Sequence, residues 1–267
     1  MYDLGGSGQP LLMSHATGLH GRVFQPLVAD LRDRFRCFSI DHRAHGVARA
    51  AERWTGDWRG FADDLLSAVS ALGLAAPMGF GHSSGGAAML LAEEAEPGTF
   101  SSLYCFEPII HPNDDPPSPN FDNPLSIGAL RRRECFGSFE EALASFGSKP
   151  PFSTVDPDVL AAYVQYGFEQ HADGSVHLKC RPADEARVYA YANSHRGYSR
   201  LGDVTCPVTL ACGTKADSRG VDVLEAVALR MRHRSIEVIG GVGHFGPLER
   251  PDLVAASIIR AVDTPPA

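Results

Sequence analysis

One hexapeptide constrains this chain more than any other segment. Residues 81–86 read Gly81-His82-Ser83-Ser84-Gly85-Gly86, the pattern G-x-S-x-G. They stand between an apolar run, Pro77 to Gly81, that reads as a strand and a segment, Ser84 to Glu96, that reads as a helix. A strand that turns this tightly into a helix crowds its own backbone, and glycines at the flanking positions relieve the crowding. The turn lifts the Ser83 hydroxyl clear of the sheet and sets the Ser84 N–H at a helix start, where it can donate to a developing anion. Outside that context G-x-S-x-G is a frequent Gly/Ser turn without chemistry; between a strand and a helix it is the pattern of an exposed nucleophile.

The rest of the chain predicts the sheet that such a turn needs. Pro10 to His15, Phe35 to Ile40 and Ser101 to Phe106 read as strands. Arg22 to Arg34 and Trp58 to Leu72 read as helices, the second with Phe61, Leu65, Leu66, Val69 and Leu72 on one side. Alternation of this type predicts an α/β fold, a mostly parallel sheet with helices on both faces. It stops at His111. His111 to Pro124 is a Pro-, Asn- and Asp-rich loop, and 125–196 is helical (Phe139 to Phe146, Asp158 to Phe168, Ala183 to Ser194), with at most a short hairpin through Val176 to Cys180. Pro207 to Ala211 and Ile236 to Ile239 return as strands, with helices at Val221 to Met231 and Leu248 to Val262. The expected organisation is one sheet domain, residues 1–110 and 197–267, interrupted by a helical insertion over 111–196.

A chain of 267 residues is long enough for one large domain or for one domain plus an inserted module. Its balance, 24 basic against 32 acidic side chains for a net charge of −8, argues against a nucleic-acid binder, which needs clustered basic charge. The six cysteines form no C-x-x-C pair and mostly fall in or beside buried runs, so they read as reduced structural thiols. Met1 to Gly6 lacks the features of a signal peptide and no run is long enough to span a bilayer. A cytoplasmic protein with a small-molecule substrate, monomeric or homodimeric, and no membrane or nucleic-acid partner is expected.

Serine needs a base. His244, in Gly240-Gly241-Val242-Gly243-His244-Phe245, follows the last strand and so reaches the C-terminal sheet edge that carries Ser83. The histidine in turn needs a carboxylate to fix its tautomer. Asp217, after the strand Pro207 to Ala211, gives the chain order Ser, Asp, His and is preferred; Glu107, directly after Phe106, reaches the same edge and is the alternative. A second oxyanion donor is expected from the N–H of Thr17, with Ala16 as the second choice, in Ser14-His15-Ala16-Thr17-Gly18, beside the N–H of Ser84.

These segments together resemble the α/β-hydrolase fold family in its cap-bearing branch, over essentially the whole chain. His15-Ala16-Thr17-Gly18 is similar to the family's oxyanion loop, Asp41-His42-Arg43-Ala44-His45-Gly46 to its Asp-x-Arg-Gly-x-Gly loop, Gly81 to Gly86 to its nucleophile elbow, and Gly243-His244 to its histidine loop. The resemblance implies that the insertion is a cap over the active site. The family opens with two strands before the oxyanion strand, whereas here only Tyr2 to Leu4 precede the turn Gly5-Gly6-Ser7-Gly8, so the first strand is expected to be missing and the sheet to have about seven strands. Asp217 stands four residues after Gly213 where the family spacing is about three, and some haloalkane dehalogenases take their acid from a place similar to that of Glu107. Those enzymes and the related epoxide hydrolases use an aspartate nucleophile, so Ser83 argues against both activities.

The expected activity is that of a carboxylesterase-like serine hydrolase cleaving an ester, thioester or lactone of a small apolar compound, with no cofactor. The alternatives are a C–C bond hydrolase or lyase on the same triad, and a non-catalytic small-ligand receptor on a hydrolase scaffold. Asp41, His42 and His45 are too few for a metal site, and His111, Asp114 and Asp115 read as a solvated linker, so no metal is expected. Arg131-Arg132-Arg133 reads as a solvated basic face.

Overall fold

The computed structural model describes residues 1–51, 53–113 and 118–264; Asp114 and Asp115 of the linker lie outside them. The chain lays down β1 (Tyr2–Gly6), β2 (Gln9–Ser14), α1 (Gln25–Leu31), β3 (Phe35–Ser39), α2 (Arg59–Ala71), β4 (Met78–His82), α3 (Ser84–Ala95) and β5 (Ser102–Phe106). There follow α4 (Pro124–Leu130), β6 (Cys135–Phe136), α5 (Phe139–Gly147), α6 (Pro157–Gly167), β7 (Phe168–Gln170), β8 (Val176–Leu178) and α7 (Pro182–Ala190). The chain then closes with α8 (Gly197–Arg200), β9 (Val208–Gly213), α9 (Val221–Ala228), β10 (Arg234–Ile239), α10 (Gly246–Glu249) and α11 (Pro251–Asp263).

Seven strands form the main sheet in the order β1-β3-β2-β4-β5-β9-β10. All neighbours are parallel except β1 and β3, so the predicted α/β class and strand number hold. Gly5 and Gly6, expected in a turn, instead end the edge strand β1, where the pairing slips between Asp3 and Gly5. Alternate side chains enter two cores. Leu11, Met13, Phe80 and Tyr104 pack with Leu27 and Leu31 of α1 and Val254 and Ile258 of α11. Leu12, Leu103, Cys105, Leu210 and Cys212 pack on the other face with Phe61 and Leu65 of α2, Leu91 of α3 and Leu224 of α9. Each such fully buried aliphatic side chain contributes roughly 1.5–3 kcal/mol over its exposed state. All six cysteines are free thiols, and only Cys135 is exposed.

Helix α3 lies deepest. Its sequence, Ala87-Ala88-Met89-Leu90-Leu91-Ala92, combines strong helix formers with apolar side chains all round, and all of these residues are buried. Its N-terminus can press on the sheet because it begins with glycines: a Cβ on Gly85 would stand 2.2 Å from the Ser14 carbonyl oxygen at the end of β2. The register sets the ends of the central strands level, with Ser14 opposite Gly81, His82 opposite Phe106 and Phe106 opposite Ala211. The loops after β2, β4, β5 and β9 therefore share one sheet edge.

The segment between β5 and β9 carries α5, α6 and α7 where helices were anticipated, adds α4, and also holds a sheet. β6, β8 and β7 pair antiparallel in that order, so the suspected hairpin gains a third strand. Among the described residues no helix is long and apolar enough to cross a membrane.

Candidate active site

Ser83 stands between β4 and α3 with φ +57° and ψ −117°, a conformation side chains rarely adopt. Its surroundings hold it there. Its N–H donates to the Phe106 carbonyl at 2.9 Å, and its carbonyl accepts from the N–H groups of Ala87 at 3.0 Å and Ile109 at 3.2 Å. A Cβ on Gly81 would stand 2.6 Å from the Gly85 carbonyl oxygen, so only glycine lets the turn close this tightly.

The loop after β10 brings His244 to this serine. His244 Nε2 lies 3.0 Å from Ser83 Oγ, and Nδ1 lies 2.7 Å from Glu107 Oε2. With Glu107 ionised, the Nδ1–H donates to the carboxylate and Nε2 is free to accept from the serine hydroxyl. His82, the residue before the serine, holds the histidine loop from below: its Nε2 donates to the His244 carbonyl at 2.8 Å. Burial pushes the His82 imidazole down to about 3, so it stays neutral.

Glu107 is fully buried directly after β5, with φ +45°. Besides His244 it accepts from the N–H of Gly213 and of Arg219, both at 3.0 Å, and from the Ser218 hydroxyl. Burial alone would raise its carboxyl, but the bonds from His244, Ser218 and Gly213 outweigh it and hold the group at about 2.

Here the preferred acid of the sequence reading is corrected. Asp217 is exposed, and its carboxylate lies by the backbone of Gly243, where an added Cβ would stand 2.2 Å from Oδ1. The alternative, Glu107, holds the position on the histidine. The reason is local. The N–H groups of Thr214 and Lys215 both donate to the Val242 carbonyl, and Ser218 N–H closes a turn on the Lys215 carbonyl. That turn sends Ser218 inward to Glu107 and leaves Asp217 outside.

Thr17 lies beside the elbow: its hydroxyl donates to Ser84 Oγ at 3.0 Å. Ser84 is the first residue of α3, so its N–H has no intrahelical acceptor. The loop behind Thr17 is held by buried imidazoles. His15 Nδ1 lies 2.7 Å from the Ala16 carbonyl, His15 Nε2 accepts from His42 N–H at 3.0 Å, and His42 Nε2 lies 2.7 Å from Ser14 Oγ. Asp41 accepts from the Tyr2 hydroxyl and from the N–H of Gly21 and Val47. The Asp41 to Gly46 segment thus braces the loop that carries Thr17.

A cavity of about 590 Å³ opens at Thr17, Gly18 and Leu19 on one side and at Phe245, next to His244, on another. Its far wall comes from the segment between β5 and β9, including Phe136, Phe146, Phe152 and Tyr189. Arg131, Arg132 and Arg133, read as a solvated face, also line it. Of Thr17, Ser83, Glu107 and His244 only Thr17 lines this cavity, and larger hollows of about 780 and 1010 Å³ elsewhere touch none of the four. Sequence reasoning missed His82, Ser218 and Arg219. His82 was visible inside the hexapeptide, but nothing local announced the other two.

Comparison with known proteins agrees with this fold. The profile described as "Alpha/beta hydrolase family" matches residues 11–257. A 2-(acetamidomethylene)succinate hydrolase of Mesorhizobium japonicum is 25% identical over 269 residues, 97% of this chain and 89% of that protein. A crystal structure of E-2-(acetamidomethylene)succinate hydrolase superposes with a TM-score of 0.82 at 21% identity, covering 97% of this chain and 93% of the other. An N-formylmaleamic acid deformylase from Pseudomonas putida S16 superposes with a TM-score of 0.74 at 15% identity, covering 96% and 93%.

Proposed function

The chain belongs to the alpha/beta hydrolase family, and on that premise we propose that it is a serine hydrolase working through Ser83, His244 and Glu107. The observation that carries the reading is the unbroken line of hydrogen bonds: Ser83 Oγ to His244 Nε2 at 3.0 Å, and His244 Nδ1 to Glu107 at 2.7 Å. As Ser83 Oγ attacks a substrate carbonyl, its proton passes to His244 Nε2. The imidazolium that forms is stabilised by the Glu107 carboxylate. The N–H groups of Ser84 and Thr17 receive the oxyanion. The leaving group departs with the proton from His244. Water then attacks the acyl-enzyme, gives its proton to the same nitrogen, and releases the acid and free Ser83.

The bond we assign is the ester, thioester or lactone of a small compound, in a cytoplasmic enzyme whose residues 111–196 cap the site. The aromatic lining of the cavity supports an organic acyl substrate. A second reading, cleavage of an acyl C–N bond, is favoured by the similarity to a 2-(acetamidomethylene)succinate hydrolase and an N-formylmaleamic acid deformylase. The two readings share every catalytic step and differ in the leaving atom.

Turnover of p-nitrophenyl acetate and butyrate by the wild type and by Ser83→Ala tests the proposal, together with labelling by a fluorophosphonate probe. Labelling of Ser83 and a fall in turnover of about 10⁴-fold or more are expected. Equal rates in the two proteins would overturn it.

A further inference from the structure

The chain carries a net charge of −8, yet the cavity at Thr17 and Phe245 is lined by four cations, Arg131, Arg132, Arg133 and Lys149, against one carboxylate, Glu185. Arg133 is taken by Glu141 outside the cavity. Arg131 and Lys149 are exposed at the rim, with no ion-pair partner among the described residues. Arg132 lies deeper. It pairs with buried Glu185 and donates from Nη2 to the Tyr163 hydroxyl at 2.7 Å. A guanidinium has five N–H donors, and among the described residues these two partners take one each. The pair reaches the oxyanion loop: a Cβ on Gly18 would stand 2.5 Å from Glu185 Oε1 and 3.2 Å from Arg132 Nη1. The guanidinium therefore sits one residue from Thr17.

Positive charge focused in a concave, partly apolar site raises the local concentration of anions and orients them. Arginine matches a carboxylate with its planar fork. We propose that the cavity takes a substrate bearing a free carboxylate, held at Arg132 with Arg131 and Lys149 around the mouth, while the scissile carbonyl lies over Thr17 and Ser84. This deepens the proposed function and rests on it for the position of the scissile bond. Glu185 keeps Arg132 aimed at the loop and prevents an uncompensated charge when the cavity is empty. The apolar wall of Phe146 and Phe152 contacts the carbon skeleton between the two ends.

Two measurements test the carboxylate site, one with catalysis and one without. Monoethyl and diethyl succinate differ by one free carboxylate. The wild type should prefer the monoester at least tenfold in kcat/KM at low salt, and the preference should shrink in Arg131→Gln/Lys149→Gln and return in Arg131→Lys/Lys149→Arg. In the Ser83→Ala protein, calorimetry should show glutarate binding at least tenfold tighter than its neutral analogue glutaramide. No preference in the wild type, or one undiminished by removal of both rim charges, would overturn the inference, as would equal binding of glutarate and glutaramide. If glutarate binds selectively while no ester is turned over, the serine-hydrolase reading fails and the anion site stands. Turnover of both esters at equal rates does the reverse.

Discussion

The Glu107 carboxylate lies 2.7 Å from Nδ1 of His244, although the two residues are 137 positions apart and rise from strands that are not neighbours. Strand β9 runs between β5 and β10, and the loop after it wraps the carboxylate with Gly213 N–H, Ser218 Oγ and Arg219 N–H. That loop brings no carboxylate of its own to His244 and instead cradles the Glu107 carboxylate carried after β5.

The cradle predicts a role for Ser218. Ser218→Ala removes one donor from an ionised carboxylate, an interaction of about 1.5–3 kcal/mol. It should lower kcat/KM by roughly tenfold or more and raise the Glu107 carboxyl above its present value of about 2. The acid limb of the pH–rate profile should then move to higher pH, and Ser218→Thr should restore it. A profile unchanged in Ser218→Ala would show that the hydroxyl positions nothing.

The elbow predicts a steric cost. In Gly85→Ala the new methyl would fall 2.2 Å from the Ser14 carbonyl oxygen, backbone against backbone, with no flexible neighbour to give way. Overpacking of this type destabilises by about 1–3 kcal/mol, and the melting temperature should drop by several degrees. An alanine variant that melts like the wild type would mean that α3 does not lean on β2 in this way.

The buried imidazoles predict acid sensitivity. Burial lowers His82 to about 3 and His20 and His195 to about 4, against 6.5 for an unburied histidine. Between those limits the unfolded chain binds protons that the native chain refuses, so stability falls as pH falls through 6.5. Each group contributes up to about 2 kcal/mol between pH 7 and pH 5. Glu107 acts in a lower window: its lowered carboxyl adds stability above about 4.5 that is lost as pH falls towards 2. Urea unfolding at pH 7 and pH 5 separates the two. Equal or higher stability at pH 5 would contradict the neutral burial of these histidines.

The meeting of Ser83 and His244 was legible in the sequence because the signals that place them are local. Glycines at 81, 85 and 86 mark a turn that only a strand and helix in succession explain, and Gly243-His244 follows the last apolar run. The acid was not legible to the same degree. Glu107 and Asp217 both follow strands that end on one sheet edge, and the turn from Lys215 to Ser218 decides which carboxylate faces inward. No residue pattern encodes that turn. The small sheet was legible only as a short hairpin because β6 has two residues and β7 and β8 three each, too short for an alternating pattern to show. Arg131 to Arg133 escaped because a basic run reads the same whether it faces water or a cavity.

Replacing each carboxylate by its amide and measuring kcat/KM on p-nitrophenyl butyrate tests the central claim most directly. Glu107→Gln leaves the shape in place but removes the charge that orients His244 and stabilises its protonated form, and should lower activity by about 10⁴-fold. Asp217→Asn, at an exposed position, should stay within about threefold of the wild type. Loss of activity in Asp217→Asn with Glu107→Gln near wild type, both proteins folded by circular dichroism, would contradict the account.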